Sequence, residues 1–328
     1  MKITLAHGSG GEAMDKLIKE LFISRFSNPA LDALEDAAVL PTFGDRLAFT
    51  TDSFVVTPLV FSGGDIGKLA VCGTVNDLAM RGAVPKYLSC GFVLEEGLEI
   101  SVLENIVSAM RVAADEAGVI IAAGDTKVTE GKGGVIINTS GIGFFEKLCD
   151  IGIRNAKAGD ALILSGLLGE HHACILSARM GIESGIKSDC APLNHMVKAL
   201  LDAGLAIHAL RDITRGGLGT VLNEMAQASN VEIALDGKTA LCSDTVRGFC
   251  DILGLDILNM ANEGKFALVL PMAQAAEALG ILHTMSYGQE ARLVGEVLAG
   301  EPSVTILTRA GSKRRVKPLI GEGLPRIC

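Results

Sequence analysis

The sequence predicts an α/β protein of the α+β type, with two domains followed by a short tail. Its 328 residues exceed the length of one average domain, so two hydrophobic cores are expected. In both halves, short apolar runs typical of strands alternate with segments whose apolar residues follow the helical period. A joint near residues 155–160 gives domains of residues 1–150 and 151–310 and a mobile tail of residues 311–328.

The first domain is expected to alternate helices and strands. A helix from Ile66 to Met80 is rich in small residues and ends before a Gly and a Pro. Two other helices are expected after residue 13 and over residues 102–117. The strand-like runs lie at residues 3–6, 47–53, 86–95, 119–123 and 135–145. Because one of these runs ends just before Asp125 and Lys127, an acid and a base are expected together at a strand end.

The second domain repeats the alternation. Its helices are predicted at residues 171–180, 194–203, 244–253 and 274–285, and its strands at residues 161–166, 231–235, 266–270, 291–297 and 304–308. A further helix opens with glycines after Arg215, and its exposed N–H groups, flanked by Arg211 and Arg215, can hold an anion. From Gly311 the sequence becomes polar and basic, which marks the start of the predicted tail.

Charge and hydropathy limit the classes of partner. The chain has 29 lysines and arginines against 38 aspartates and glutamates, and the net charge of −9 argues against nucleic acid or an anionic membrane as the main partner. Hydrophobic residues make up 49%, but no apolar run reaches the ~18 residues of a membrane span. Because Glu12 and Asp15 come too early for the core of a signal peptide, the cytoplasm is the expected location.

A glycine-rich loop, His7-Gly8-Ser9-Gly10-Gly11, precedes the first predicted helix. Continued through Glu12 and Ala13, it superficially matches the dinucleotide-binding fingerprint as G-x-G-x-x-A, but that fold needs a second strand ending in an acidic residue about 20 positions later. Ser27-Asn28-Pro29 and the residues beyond it offer no such strand. The loop is therefore expected to be flexible and to fold over phosphates.

Five aspartates stand at predicted strand ends or helix boundaries: Asp36, Asp52, Asp77, Asp125 and Asp212. If the fold brings them together, their carboxylates form the oxygen site that suits Mg²⁺ carrying nucleotide phosphates. Any single one of them can instead cap a helix. The loop around Lys68 is not a Walker-type phosphate loop, because its spacing is wrong and no hydroxyl residue follows the lysine. Nucleotide binding would therefore use another architecture.

The chain ends in Pro325-Arg326-Ile327-Cys328, and a thiol at a free carboxyl end is unusual. Chain ends are commonly exposed and mobile. Arg326 places a cation beside the thiol, which favours the reactive thiolate, and the preceding Gly321-Glu322-Gly323 supplies a hinge. The other seven cysteines form no C-x-x-C pair and are expected to be reduced and mostly buried. The tail is therefore predicted to be a swinging arm that carries a nucleophile, with an incidental terminal Cys as the alternative.

A set of motifs spread over the whole chain is shared with one protein family. The motifs are His7–Gly11, Asp36–Ala38, Thr51–Ser53, Asn76–Asp77, Gly124–Lys127, Asp212–Gly217, Asn262–Lys265 and Pro325–Cys328. Together they resemble the hydrogenase maturation factors of the HypE family. The wider group includes aminoimidazole ribonucleotide synthetase, selenophosphate synthetase and thiamine-monophosphate kinase, which lack the Cys tail. The resemblance implies an N-terminal domain that forms a β-barrel across a homodimer, a C-terminal α/β domain, and ATP between them.

The resemblance also implies an ATP-dependent dehydration. A carbamoyltransferase, HypF, would load the terminal thiol as a thiocarboxamide, and ATP would activate the amide oxygen so that phosphate leaves and a thiocyanate remains. The nitrile would pass to the iron of nickel-iron hydrogenase through a HypC–HypD scaffold complex. Cys328, Lys127 and Glu263 are then the expected catalytic residues: Lys127 stabilises the phosphate charge and Glu263 takes a proton. Lys127 and Glu263 could equally form structural ion pairs.

The binding residues follow from the same resemblance. ATP contacts are expected from Gly8, Gly10, Gly11, Asp36, Asp52, Asn76, Asp125 and Asp212. In the assembled dimer, Mg²⁺ ligands are expected among Asp36, Asp52, Asp77 and Asp125. Which aspartate contacts the metal and which the ribose stays open.

Two other functions stay open from the sequence. A small-molecule kinase or synthetase of the same superfamily would act on a diffusible substrate. Selenophosphate synthetases would carry Cys or selenocysteine in the glycine loop, and residues 7–13 contain neither. A non-catalytic thiol carrier would only present Cys328 to partners, and ATP turnover separates such a carrier from an enzyme.

Overall fold

The computed structural model describes residues 2–8, 12–32, 37–38, 40–147, 149–239, 241–308 and 311–318. Four of the expected site residues lie outside these ranges: Gly10, Gly11, Asp36 and Cys328. What the sequence indicates for those four residues stays a prediction.

The N-terminal half contains most of the expected helices and strands, in nearly the expected places. They are α1 (Glu12–Leu17), a π-helical stretch (Ile18–Ile23), α2 (Ser24–Phe26), β1 (Leu47–Phe54), β2 (Val60–Phe61), β3 (Gly64–Asp65), α3 (Ile66–Met80), β4 (Val84–Glu95), α4 (Ile100–Ala117), β5 (Ile120–Thr129) and β6 (Val135–Phe144). The strand expected at residues 3–6 is wrong. Leu5–Gly8 is a 3-10 turn, because the His7 ring nitrogen and its backbone N–H both bond back to Thr4.

Among the described residues, four strands of this half form an open sheet in the order β1-β6-β4-β5. Helices α3 and α4 pack on one side of it, which we call the inner face. Helix α3 is buried along nearly all its length because its small residues admit close neighbours: a side chain on Gly67 would collide with the carbonyl oxygen of Ile106 on α4. Over the described residues of this half, the sheet of one chain does not close into a barrel, and a barrel across a homodimer stays a prediction.

The outer face of this sheet, opposite the helices, carries exposed apolar side chains. Alternation along the strands puts Phe49, Val93 and Ile136 on this face, where 63%, 38% and 41% of their surfaces are exposed. Asp125 and Lys127 share the face, since they pair with Gly91 and Val93 of β4. Clustered apolar groups on an exposed sheet face indicate a surface that contacts another molecule.

The C-terminal half is a larger mixed sheet with helices on both faces. Its elements are β7 (Asp160–Leu164), α5 (Glu170–Met180), α6 (Asn194–Asp202), β8 (Ala209–Asp212), α7 (Gly217–Ser229), β9 (Glu232–Asp236), α8 (Asp244–Leu253), β10 (Phe266–Pro271), α9 (Ala275–His283), β11 (Arg292–Leu298), β12 (Ser303–Leu307) and β13 (Lys313–Val316). The strand order is β13-β12-β9-β11-β7-β10-β8, in which β9 and β12 are parallel.

Two cores flank β7, an interior strand of this sheet. Leu162 and Leu164 pack into the core that contains α7, whereas Ala161 and Ile163 pack into the core that contains α6 and α9. This alternation explains why β7 is buried throughout. No helix in the described part of the chain is long and apolar enough to cross a membrane.

The first part of the predicted tail is a folded strand. Lys313–Val316 pairs antiparallel with β12 and forms the edge of the C-terminal sheet. Val316 is buried, and its contact with the core outweighs the run of basic residues around it. The prediction of a mobile tail from residue 311 is therefore wrong for this stretch, and residues 319–328 lie outside the described part.

Candidate functional site

Three of the predicted aspartates meet where the two halves touch. Asp52 comes from β1, Asp77 from α3 and Asp212 from the end of β8. The Thr50 hydroxyl donates to an Asp77 carboxylate oxygen at 2.9 Å. Burial raises the pKa of Asp77, and the nearby charge of Asp52 raises it further. The fold thus places negative charge close to Asp77, which adds to the effect of burial in disfavouring its ionised form.

Asp212 is the deeply buried member of this group, with 8% of its surface exposed. Burial raises its pKa to about 7, and the charges of Asp77 and Asp52 add to that effect. Arg211 acts in the opposite direction, but its guanidinium also lies 3.6 Å from Glu224. Asp212 is therefore a carboxyl group that changes charge near neutral pH, as functional carboxyls often do.

Asp212→Asn is expected to stabilise the ligand-free chain at alkaline pH. The pKa of Asp212 is higher in the folded chain than in the unfolded chain. The stability that this carboxyl group contributes is therefore fully present only below its unfolded-state pKa, and it is lost as the pH rises through about 7. The advantage of the Asn variant in free energy of unfolding should therefore grow by about 2 kcal/mol between about pH 5.5 and pH 8.5. Urea unfolding measures this difference, with Asp251→Asn on the exposed side of α8 as control. An advantage that is constant with pH would contradict the raised pKa.

Glu263 lies beside these aspartates, in the loop that leads into β10. Asn262 fixes the loop, since its side chain accepts the Gly169 N–H at 2.7 Å and donates to the Ile213 carbonyl at 3.0 Å. Burial raises the pKa of Glu263 well above its usual value. The neighbouring groups that raise it further are Cys190, Asp189, Asp212 and Asp52. We call Asp52, Asp77, Asp212 and Glu263 the acid cluster.

Asp125 and Lys127 lie away from the acid cluster within one chain. Lys127 Nζ is 2.8 Å from both Asp125 carboxylate oxygens, and this hydrogen bond lowers the pKa of Asp125. Both side chains are mostly exposed on the outer face, whereas Asp52 points to the inner face against α3. Three strand spacings, roughly 14 Å, separate β1 from β5. Strand β5 continues to Thr129, so the pair lies within a strand and not at its end as expected.

The N-terminal sheet therefore separates residues that were expected to share one site. One chain does not bring Asp125 to Asp52 and Asp77, and it does not bring Lys127 to Glu263. In the described residues no group of three His, Cys, Asp or Glu side chains is placed to hold a metal ion. Asp52 and Asp77 still fit Mg²⁺, because this ion commonly takes one or two carboxylates and completes its shell with substrate phosphates.

Two further expected ATP contacts have packing roles. The Asn76 amide donates to the Ala191 carbonyl at 3.1 Å and its oxygen accepts the Leu193 N–H at 2.8 Å, so both polar ends of this buried side chain bond to backbone. This argues against Asn76 as an ATP contact. A Cβ on Gly8 would lie 2.8 Å from the backbone nitrogen of Val128, so the glycine lets its turn lie against β5.

Two residues next to the acid cluster are not anticipated from the sequence. Asp189 accepts the Glu263 backbone N–H at 3.1 Å. Cys190 is buried, and its hydrogen bond with the Cys72 thiol and its burial raise its pKa. Both lie in an irregular segment between α5 and α6, where no periodicity or motif marks them. Only the tertiary contact with Glu263 reveals them.

Two family models match the chain. Residues 34–145 match the AIR synthase related protein N-terminal domain, and residues 157–307 match the C-terminal domain of the same family. The two matched ranges fall on the two halves of the chain that carry the two large sheets. The chain is thus a two-domain protein of the AIR synthase-related class.

Its similarity to one branch of this class extends over the full length. Carbamoyl dehydratase HypE of Rhodobacter capsulatus is 46% identical over 335 residues, which cover 100% of this chain and 98% of that relative. A crystal structure of hydrogenase maturation protein HypE in complex with ATP superposes with a TM-score of 0.95 at 44% identity, covering 99% of both chains. The chain in a HypE–HypF complex superposes with a TM-score of 0.81 at 45% identity, covering 92% of this chain and 99% of that one. The chain belongs to the HypE family of hydrogenase maturation proteins, which confirms the resemblance found in its motifs.

Proposed function

We propose that the chain dehydrates a thiocarboxamide on its own Cys328 to a thiocyanate, with ATP, and so supplies the cyanide ligand of the iron in nickel-iron hydrogenase. The observation that carries this proposal is Glu263, a buried acid with a raised pKa beside Asp212 and Asp52. Full-length membership of the HypE family supports it, since curated relatives are named carbamoyl dehydratase and one solved relative holds ATP.

The reaction explains why both an acid cluster and a cation are needed. An amide oxygen is a poor leaving group, and transfer of the ATP γ-phosphoryl group to it makes phosphate the leaving group. The C–O bond then breaks, both amide N–H protons depart, and the carbon–nitrogen triple bond forms. The products are the thiocyanate, ADP and inorganic phosphate. The amide oxygen leaves in the phosphate, so the step balances without an oxidant.

Glu263 is the proposed base and Lys127 the proposed cation that stabilises the developing phosphate charge. Glu263 is buried in one chain, while Lys127 lies exposed on the outer face of the sheet. We infer that a complete site combines Glu263 of one chain with Lys127 and Asp125 of a second chain. In such a dimer, the outer-face residues of one chain would approach the acid cluster of the other chain, whereas within a single chain they lie away from it.

ATP and Mg²⁺ are proposed to bind beside the acid cluster. Burial, and after it the charges of neighbouring aspartates, raise the pKa values of Asp77 and Asp212, and a bound cation would offset those charges. When bound, Mg²⁺ would neutralise phosphate charge during the transfer. Asp52 and Asp77 are its proposed ligands in one chain. The remaining proposed contacts to ATP and metal are Gly8, Gly10, Gly11, Asp36, Asp125 and Asp212.

Asp52→Asn and Asp77→Asn are expected to weaken Mg-ATP binding at least about 100-fold, or ~2.7 kcal/mol, because each removes an anionic oxygen ligand. Folding should be unaffected, since burial already disfavours the charged form of Asp77. Calorimetry with Mg-ATP measures the affinity, and Asp251→Asn serves as the control for loss of one negative charge. Unchanged affinity in both variants would eliminate the proposed metal site.

A homodimer is proposed to form through the outer face. Phe49, Val93 and Ile136 are exposed there and would be buried by a second sheet, and the sheet of one chain is open at β1 and β5. The same contact would bring the Lys127 and Asp125 of one chain towards its partner.

Phe49→Asp is expected to convert the dimer to a monomer, because it places a charge in the centre of the proposed apolar contact. Light scattering at micromolar concentration gives the mass. Val112→Asp is the matched control, since Val112 is 66% exposed on α4, away from the outer face. A wild-type monomer, or a dimer that tolerates Phe49→Asp, would count against this surface.

The proposed partners follow from the same chemistry. A carbamoyltransferase, HypF, would load Cys328, and a HypC–HypD scaffold complex would accept the nitrile. A relative has been solved as a HypE–HypF complex, which supports the first partner. The proposed location is the cytoplasm.

One experiment separates this function from its alternatives. ATP turnover is measured with the carbamoylated and the unmodified chain, and mass spectrometry follows the C-terminal peptide. The proposal expects phosphate release only with the carbamoylated chain, together with loss of one water from the thiocarboxamide. No ATP turnover would favour a thiol carrier, and turnover independent of Cys328 would favour a small-molecule kinase or synthetase.

A further inference from the structure

The segment Asp189–Leu193 links the two halves of the chain around Glu263. Asn76 of α3 holds this segment through the Ala191 carbonyl and the Leu193 N–H. On its other side, the Ala191 N–H donates to the Glu263 carbonyl at 3.3 Å. Gly264 packs so closely that any side chain there would collide with the Asp189 carbonyl oxygen. The Glu263 loop is therefore pressed onto this segment and has little freedom to move.

Asp189 is an unusual member of the segment because its carboxylate is buried. Its side chain is 1% exposed, and one oxygen accepts the Glu263 backbone N–H at 3.1 Å. The other oxygen has no hydrogen-bond partner among the described residues and lies 3.7 Å from Lys265 Nζ. Lys265 is itself shared with Glu170, at 3.9 Å. A buried carboxylate held so loosely is costly for stability, which points to a functional reason for its position.

We propose that Asp189 is a positioning residue for Glu263: its carboxylate fixes the Glu263 peptide and keeps a negative charge beside the Glu263 side chain. Lys265 is the counter-charge of Asp189 and forms no hydrogen bond with it. This inference deepens the proposed function, since it takes Glu263 as the base.

The charge of Asp189 has a measurable consequence at Glu263. The charges that act on the Glu263 carboxyl include those of Asp52 from β1, Asp212 from β8, and Asp189 and Cys190 from the linking segment. Each of them raises the pKa of Glu263, after burial. Asp189→Asn removes one of these charges but keeps an oxygen that can accept the Glu263 N–H. Asp189→Ala removes both, so the two variants separate the charge from the hydrogen bond.

The protonation of Glu263 can be read directly, without catalysis. Glutamate labelled with ¹³C at the side-chain carboxyl gives NMR signals that titrate, and the signal of Glu263 is the one lost in Glu263→Gln. In Asp189→Asn this signal should titrate at least about one pH unit lower than in the wild type. Glu170→Gln is the matched control, because it removes a carboxylate from the same lysine without facing Glu263, and it should leave the signal unchanged.

The kinetic test uses the full chain with its thiol already carbamoylated. Asp189→Ala should dehydrate at least about tenfold more slowly than wild type, with ATP affinity within about twofold. Asp189→Asn should recover most of this rate, and the rising limb of its pH profile should move to lower pH by the shift seen in the NMR titration. If Asp189 only supported the fold, both variants would be slowed alike and the rising limb of the pH profile would not move.

Three outcomes would overturn the inference: wild-type dehydration by Asp189→Ala, an unchanged Glu263 titration in Asp189→Asn, or a shift of equal size in Glu170→Gln. If Asp189→Asn does not fold, Asp189→Ala tests the same point, because it also removes the Asp189 charge and should move the Glu263 titration to lower pH. No shift in that variant would also reject it. Failure of the proposed function looks different, since Glu263→Gln would then dehydrate at the wild-type rate whatever Asp189 does to the titration.

Discussion

Cys328→Ser is expected to abolish both carbamoylation and thiocyanate formation while folding and ATP binding stay unchanged. A thiolate is the nucleophile that the loading step requires, and a serine hydroxyl at a chain end does not replace it. The other seven cysteines, all in the described part, offer no substitute: six are buried and Cys149 is half-buried. Burial raises the pKa of the Cys149 thiol and so disfavours its thiolate. Mass spectrometry of the C-terminal peptide, after incubation with carbamoyl phosphate, ATP and the carbamoyltransferase, measures the result.

Cys149→Ser is the matched control and should be loaded like wild type. Deletion of residues 325–328 should behave like Cys328→Ser. Strand β13 anchors the chain up to Val316, so the twelve residues that follow it span at most about 40–43 Å. Residues added after Cys328 should impair the reaction, because the site must then admit more than a chain end. Label on an internal cysteine, or nitrile delivery by Cys328→Ser, would refute the swinging-thiol mechanism.

Glu263→Gln and Lys127→Ala are expected to stop conversion of thiocarboxamide to thiocyanate. Loss of a general base typically costs 10²–10⁴-fold in rate, so a fall of about 1,000-fold is expected for Glu263→Gln in single-turnover experiments. ATP affinity should stay within about tenfold, a loss of ~1.4 kcal/mol, because neither residue is proposed to hold the nucleotide. Glu263→Gln keeps the size and neutrality of the protonated acid, so its effect reports proton transfer rather than packing. Lys132→Ala, another exposed lysine beyond β5, is the control for Lys127→Ala.

Mixing the two inactive variants tests whether the site is shared between chains. If Glu263 of one chain works with Lys127 of the other, a mixed dimer has one intact site, and an equal mixture should recover about one quarter of the wild-type activity. If both residues act within one chain, the mixture stays inactive. Wild-type rates in both single variants would instead make these residues structural.

Local signals in the sequence were sufficient for most helices and strands. Helix α3 is predicted at Ile66–Met80 and found there, and α8 is found at the predicted Asp244–Leu253. These elements follow from apolar periodicity and from the glycines that end them, and both signals depend on neighbours along the chain. The sequence also determined the family, because widely separated motifs and the Cys tail occur together in one chain.

Only the tertiary structure decided which of the predicted residues can share a site. Asp52 and Asp125 look alike in sequence, yet strand register puts them on opposite faces of the N-terminal sheet. Asn76 bonds to backbone of the other half, the basic stretch Lys313–Val316 pairs with β12, and Asp189 meets Glu263 from 74 residues away. Each of these outcomes depends on contacts between residues far apart in the chain, whose burial and pairing override the local preference. Periodicity fixes which residues face the same side of an element, but only the packing of one element on another decides which sides meet.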